Sequence, residues 1–305
     1  MAVYEHTYRS YAGPLTPEWS RFLIIPRHAY RDIFKSKLFT AFFVACFVPL
    51  LIEAILIYLH HNVNALAILK VNVRELLPID ATFFEAFVGV QSGFAFLLTL
   101  LVGPPLVARD LRNNALPLYL CRPFSRAEYV FGKMSVVLIL LSTMTWIPGL
   151  LLFLFQSYLE GFSWFVNNLW IANAIFIGSL AWILLLTLLS QTISALVKWR
   201  MVASAALFAL YLIPSVFSEV INLIFATRWG HIISIDALRK NITAGLFGTF
   251  VQSSRQVIGD FDNSFAHEVI LNEPPIWCSW FALFLVCAIC LAILSRRVKA
   301  YEVIS

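Results

Sequence analysis

Residues 83–107 read FFEAFVGVQSGFAFLLTLLVGPPLV, twenty-five positions with one formal charge, at Glu85. A helix needs about 20 mostly apolar residues to cross the roughly 30 Å of bilayer hydrocarbon. Main-chain groups in lipid must bond within the segment, so a helix is the expected form. The stretch lacks the alternation of apolar and polar residues that marks a barrel strand. Five further blocks share this character, at Leu38 to Leu59, Met134 to Phe155, Leu169 to Ser190, Met201 to Phe225 and Ile276 to Leu294. The fold class expected is an all-α integral membrane protein of six transmembrane helices.

Composition agrees. Of 305 residues, 60% are hydrophobic and 13% charged, against about 25% charged in soluble domains. Sixteen of the 22 Lys and Arg residues fall in the N-terminal arm, the 108–133 loop, the Lys198 to Arg200 turn and the C-terminal tail. The positive-inside rule then places both termini in the cytoplasm. The net charge of +5 is distributed along membrane boundaries, which suits lipid headgroups and argues against nucleic acid. The mixed, charged first 37 residues carry no pattern of a cleavable signal peptide.

Residues 1–37 form an arm. Trp19, Phe22, Leu23, Pro26, Tyr30, Ile33 and Phe34 recur at helical steps with Arg21, Arg31 and Lys35 between them, the pattern of an amphipathic helix lying in the membrane interface. Thr16 is its expected N-cap, Pro17 its first residue and Glu18 a match to the helix dipole. Pro26 should kink or interrupt it. Residues 38–305 form the membrane domain, whose 226–275 segment lies outside and is expected to fold into short helices on the membrane face.

Residues able to carry chemistry are sparse, and no catalytic or metal site is expected. His60 and His61 are adjacent and diverge by about 100° on a helix, a poor chelating pair. The five cysteines, Cys46, Cys121, Cys278, Cys287 and Cys290, define no disulfide framework or metal spacing. Gly132-Lys133 resembles the end of a phosphate loop, but Ala127 and Met134 stand where that loop needs a glycine and a hydroxyl. Asp260, Asp262 and Asn263 lack the glycine and distant glutamate of a calcium loop. Asn241-Ile242-Thr243 is a formal glycosylation sequon. Glu53, Glu85, Gln91 and Glu219 are polar residues inside apolar blocks, where they either line a path for a substrate or make structural hydrogen bonds. Gly89 and Gly93 offer a small-xxx-small face for close helix packing.

The most informative segment is the loop at 108–133. Asn113 or Asn114 can cap a short helix over Ala115 to Leu120, Arg122-Pro123 forces an extended turn, and Ser125 with Glu128 forms a capping box for the next helix. A short helix held rigidly below the membrane suits docking to a cytoplasmic partner.

The run Val107-Ala108-Arg109-Asp110, followed by Leu118-Tyr119-Leu120-Cys121-Arg122-Pro123-Phe124-Ser125-Arg126-Ala127-Glu128-Tyr129-Val130-Phe131-Gly132-Lys133, resembles the permease subunits of ABC transporters of the type-2, export-type branch. In that family the corresponding loop carries the coupling helix that sits in a groove of the ATPase. The resemblance implies that Arg109, Asp110, Arg112, Asn114, Leu118 and Tyr119 contact or position the ATPase. It implies that Arg122, Pro123, Ser125, Arg126, Glu128, Tyr129, Gly132 and Lys133 set the turn back into the membrane. It extends to the six-helix order, the arm and the enlarged outer segment. Pro104-Pro105 and the length of the outer segment depart from many relatives. The chain would be half of a transport pathway in a plasma membrane, in the setting of a bacterial inner membrane. It would pair with a second permease copy or a related permease and with separate ATPase subunits that carry ATP and Mg; this chain holds no cofactor. The competing readings are a membrane-embedded enzyme using Glu53, Glu85, Glu219, His231 or His267 on a lipid or peptide, and a non-transporting membrane anchor.

Overall fold

The computed structural model describes residues 23–62, 78–113, 126–197, 199–258 and 267–297. In chain order the helices are α1 (Ile24–Ile33), α2 (Lys37–Ala45), α3 (Val48–His61), α4 (Ala81–Arg112), α5 (Arg126–Met144), α6 (Trp146–Glu160), α7 (Phe162–Asn167), α8 (Leu169–Leu196), α9 (Arg200–Phe225), α10 (Ile235–Phe247) and α11 (Ile276–Arg297). A 3-10 turn lies at Trp229–Ile232, and strands β1 (Ser253–Ile258) and β2 (His267–Asn272) pair antiparallel, Ser253 opposite Asn272.

Among the described residues, six helical stretches are long and apolar enough to cross a membrane: Lys37–His61, Ala81–Ala108, Glu128–Glu160, Leu169–Leu196, Arg200–Phe225 and Ile276–Arg296. This bears out the multi-pass membrane reading. The second, third and fourth have 56%, 56% and 61% of their apolar windows buried, against 11%, 17% and 17% in the first, fifth and sixth. The middle three therefore form the centre and the others surround it. Helix α8 is the hub, packing on α4, α5, α6, α9, α10 and α11. Six crossings put α1, the loop after α4, the α8–α9 turn and the end of α11 on one side, called here the loop side.

Proline placement explains the divided spans. The first span breaks after Ala45, four residues before Pro49, and the third after Met144, four before Pro148. Proline has no N–H for the carbonyl four residues back and its ring crowds that carbonyl. Gln91 Nε2 donates to the Cys46 carbonyl at the first break (3.1 Å). Pro26 lies in the first turn of α1, and the residues before Leu23, where the expected kink or interruption would show, lie outside the described residues. Thr16, Pro17, Glu18, Trp19 and Arg21 lie outside the described residues.

The 226–275 segment differs from the expectation of short surface helices. It contains the β1–β2 hairpin as well, and α10 is not superficial: Ile235, Leu238, Ile242 and Phe247 are buried, and α10 packs on α4, α8, α9 and α11. Asn241 is buried on that helix, which leaves the sequon sterically unsuited to a glycan.

Candidate functional site

Helix α4 does not end at Pro104-Pro105 but runs on to Arg112. Two consecutive prolines leave the Leu100 and Leu101 carbonyls without their helical donors. Ser204 of α9 donates to the Leu100 carbonyl (3.0 Å). Ser194 of α8 donates to the Pro104 carbonyl (2.6 Å) and accepts from the Ala108 N–H (2.8 Å) and the Val107 N–H (3.3 Å). Its hydroxyl thus bonds three main-chain groups of α4 across the helix interface. Close approach makes this possible: a Cβ at Gly103 would lie 2.6 Å from Ser190 Cβ. Neighbouring helices mend what lipid cannot.

The mended segment leads directly into the loop. Asp110, in the last turns of α4, takes two donors on Oδ2: Lys133 Nζ at 2.8 Å and Tyr129 Oη at 2.7 Å. Tyr129 and Lys133 are one turn apart on α5, so both project from the same face, and the Lys133 ammonium lies 5.7 Å from the Tyr129 ring centroid. Tyr129 and Lys133 are 1% and 7% exposed and the Asp110 side chain 15%, so this is a largely desolvated clamp and not a surface ion pair. Glu128 occupies the first turn of α5, where a negative charge complements the dipole. The clamp joins the last turns of one limb of the 108–133 loop to the first turns of the other.

Of the remaining loop residues named from the sequence, Arg112 is exposed and Gly132 is buried within α5, its carbonyl accepting from Ser135 (2.9 Å). Arg109 and Arg126 fall within the α4 and α5 backbones. Asn114, Leu118, Tyr119, Arg122, Pro123, Ser125 and Cys121 lie outside the described residues.

The intramembrane polar residues do not converge. Glu85 accepts from Thr249 Oγ1 (2.6 Å), tying α4 to the segment after α10. Gln91 closes the first-span break, Glu53 is half-buried with Oε2 unpartnered, and Glu219 is largely exposed. No hydrogen bond or ion pair joins any two of the four. Gly89 and Gly93 also fall short of close packing within the chain, since a Cβ at either would meet nothing within 4 Å.

On the far side, Glu273 is buried and holds Arg228 Nη1 on Oε1 and His231 Nδ1 on Oε2, each at 2.8 Å. His231 Nε2 faces Glu219 at 3.8 Å. This group pins the 3-10 turn to the start of α11. No cluster of three or more metal-ligating side chains occurs among the described residues; His61 bonds the Ile57 carbonyl and Glu160 instead.

No protein-family model and no curated protein matches the chain. The serines at 190, 194 and 204 went unremarked in the sequence; the available signal was the double proline itself, which requires hydroxyl donors from neighbouring spans.

Proposed function

We propose that this chain is the membrane-spanning permease subunit of an ATP-driven ABC transporter of the export type, coupled through the 108–133 loop to a separate ATPase. The observation that carries the reading is the buried Asp110–Lys133–Tyr129 clamp. A loop that serves only as a connection needs no desolvated ion pair at its root, whereas a loop that transmits force needs both limbs fixed. With the limbs fixed, a displacement at the loop moves α4 and α5 together, and α8 and α9 through the serine bonds on α4. The resemblance of residues 107–133 to the family's coupling loop supplies the partner. Coupling free energies between sites of this kind are ~1–3 kcal/mol.

The test is extraction of the chain from its native membrane in mild detergent, with mass spectrometry of bound proteins. An ABC-type ATPase should be recovered, and Asp110→Ala should leave membrane insertion intact while abolishing nucleotide-dependent stimulation of that ATPase. A chain that never retains an ATPase, or full stimulation with Asp110→Ala, would overturn the proposal. The enzyme reading draws on the Glu273–His231–Glu219 array; it requires turnover by the purified chain with no ATPase present.

A further inference from the structure

A cavity of about 550 Å³ lies on the loop side between α1 and the ends of the spans, lined by residues of α1, α2 and α4 together with Lys133 and Arg200. That volume lies in the range of ligand sites, roughly 300–1,000 Å³. Its lining is divided by chemistry: Leu38, Phe39, Leu101, Val102 and Leu106 are apolar, whereas Asp32, Asp110, Lys133, Arg200 and His28 are polar.

The charges are not equivalent. Asp110 is held by Lys133 and Asp32 by Lys35 (2.6 Å). Arg200 has no acidic partner among the described residues, so the wall presents one uncompensated guanidinium. Trp199 and Met201, on either side of it, are 70% and 73% exposed. An arginine between an exposed tryptophan and an exposed methionine, at the end of a span, sits where headgroups meet acyl chains. Guanidinium matches phosphate by paired hydrogen bonds. Helix α1 closes the cavity from the arm side, held by the Tyr30 hydroxyl donating to the Val136 carbonyl (2.8 Å).

We infer that this cavity binds an anionic phospholipid, with Arg200 on the phosphate and the Leu38–Leu101–Leu106 wall on the upper acyl chains. The site does not depend on the transport reading: it rests on membrane residence alone, and lipid binding is measured without an ATPase.

The experiment is native mass spectrometry of the whole protein, delipidated in detergent and supplied with phosphatidylglycerol or phosphatidylcholine of matched chains. Wild-type protein should retain phosphatidylglycerol in preference. Arg200→Gln should lower that retention about fivefold, the contribution of one interfacial basic residue, and Arg200→Lys should keep most of it. Ile24→Trp, which fills the cavity and leaves Arg200 in place, should reduce retention of both lipids. Equal retention of the two lipids by wild type, undiminished preference in Arg200→Gln, undiminished retention in Ile24→Trp, or displacement by inorganic phosphate would overturn the inference, the last by pointing to a soluble anion.

Discussion

A single hydroxyl, that of Ser194, serves three main-chain groups of another helix. Ser194→Ala removes those cross-helix bonds, at about 0.5–1.5 kcal/mol for each net hydrogen bond, and thermal unfolding in detergent should show a lowered Tm. Gly103→Ala should also destabilise, because the added Cβ meets Ser190 at 2.6 Å, and Ser190→Gly should restore part of the loss. At the clamp, Lys133→Met leaves a buried carboxylate with only Tyr129, and breaking a buried pair costs about 3–5 kcal/mol. Adding Asp110→Leu should recover much of that in an unfolding assay, as the orphaned charge is removed. Such details were only partly legible in the sequence. Asp110, Tyr129 and Lys133 were singled out from a loop pattern, and the structure joins them. Gly89 and Gly93 were singled out by spacing, but spacing says nothing about what stands opposite, and the close glycine contact on α4 falls at Gly103.

The long apolar elements were readable because burial in lipid acts on every residue of a span at once. Their interruptions were less so, since whether a proline breaks a helix depends on donors from elsewhere: Pro49 and Pro148 lie beyond breaks, and Pro104-Pro105 lie within a continuous helix. The β1–β2 pairing joins two six-residue strands across eight intervening positions, a nonlocal fact that no local pattern announced. Helix α10 carries its own test. Burial alone would raise the Asp236 carboxyl, but Lys240 at 2.7 Å, Arg239 at 3.1 Å and the Tyr211 hydroxyl hold it below its ordinary value of 3.8. A depressed acid stabilises the folded state above its unfolded value and loses that contribution as pH falls through the lower, folded one. Protection of α10 amides from hydrogen exchange should therefore hold above about pH 4 and drop below it. Asp236→Asn should show weaker protection at neutral pH and no such fall.

At the scale of the molecule, composition and charge distribution sufficed for a six-span membrane protein, because the bilayer leaves few architectures open. Orientation is testable in a cysteine-free background. Tyr158→Cys, at a position 84% exposed beside α7, should react with an impermeant maleimide added to intact cells, and Trp199→Cys only after permeabilisation. The reverse pattern would invert the proposed topology. Partner and substrate were not legible in this way, since they depend on residues of other molecules.

Helix α4 is 32 residues long, which at 1.5 Å per residue is about 48 Å, well beyond the roughly 30 Å of hydrocarbon. A rigid rod of that length would have to tilt or protrude, and any change in acyl-chain length would be felt by the whole bundle. Prolines weaken the main-chain ladder, and between Leu100 and Ala108, where serine hydroxyls from α8 and α9 bond the main chain, α4 should bend at lower cost than elsewhere along its length. Thickness mismatch should then be absorbed in that one place, and the protein should keep its folded stability across short- and long-chain bilayers better than a variant in which Pro104 and Pro105 are both alanine.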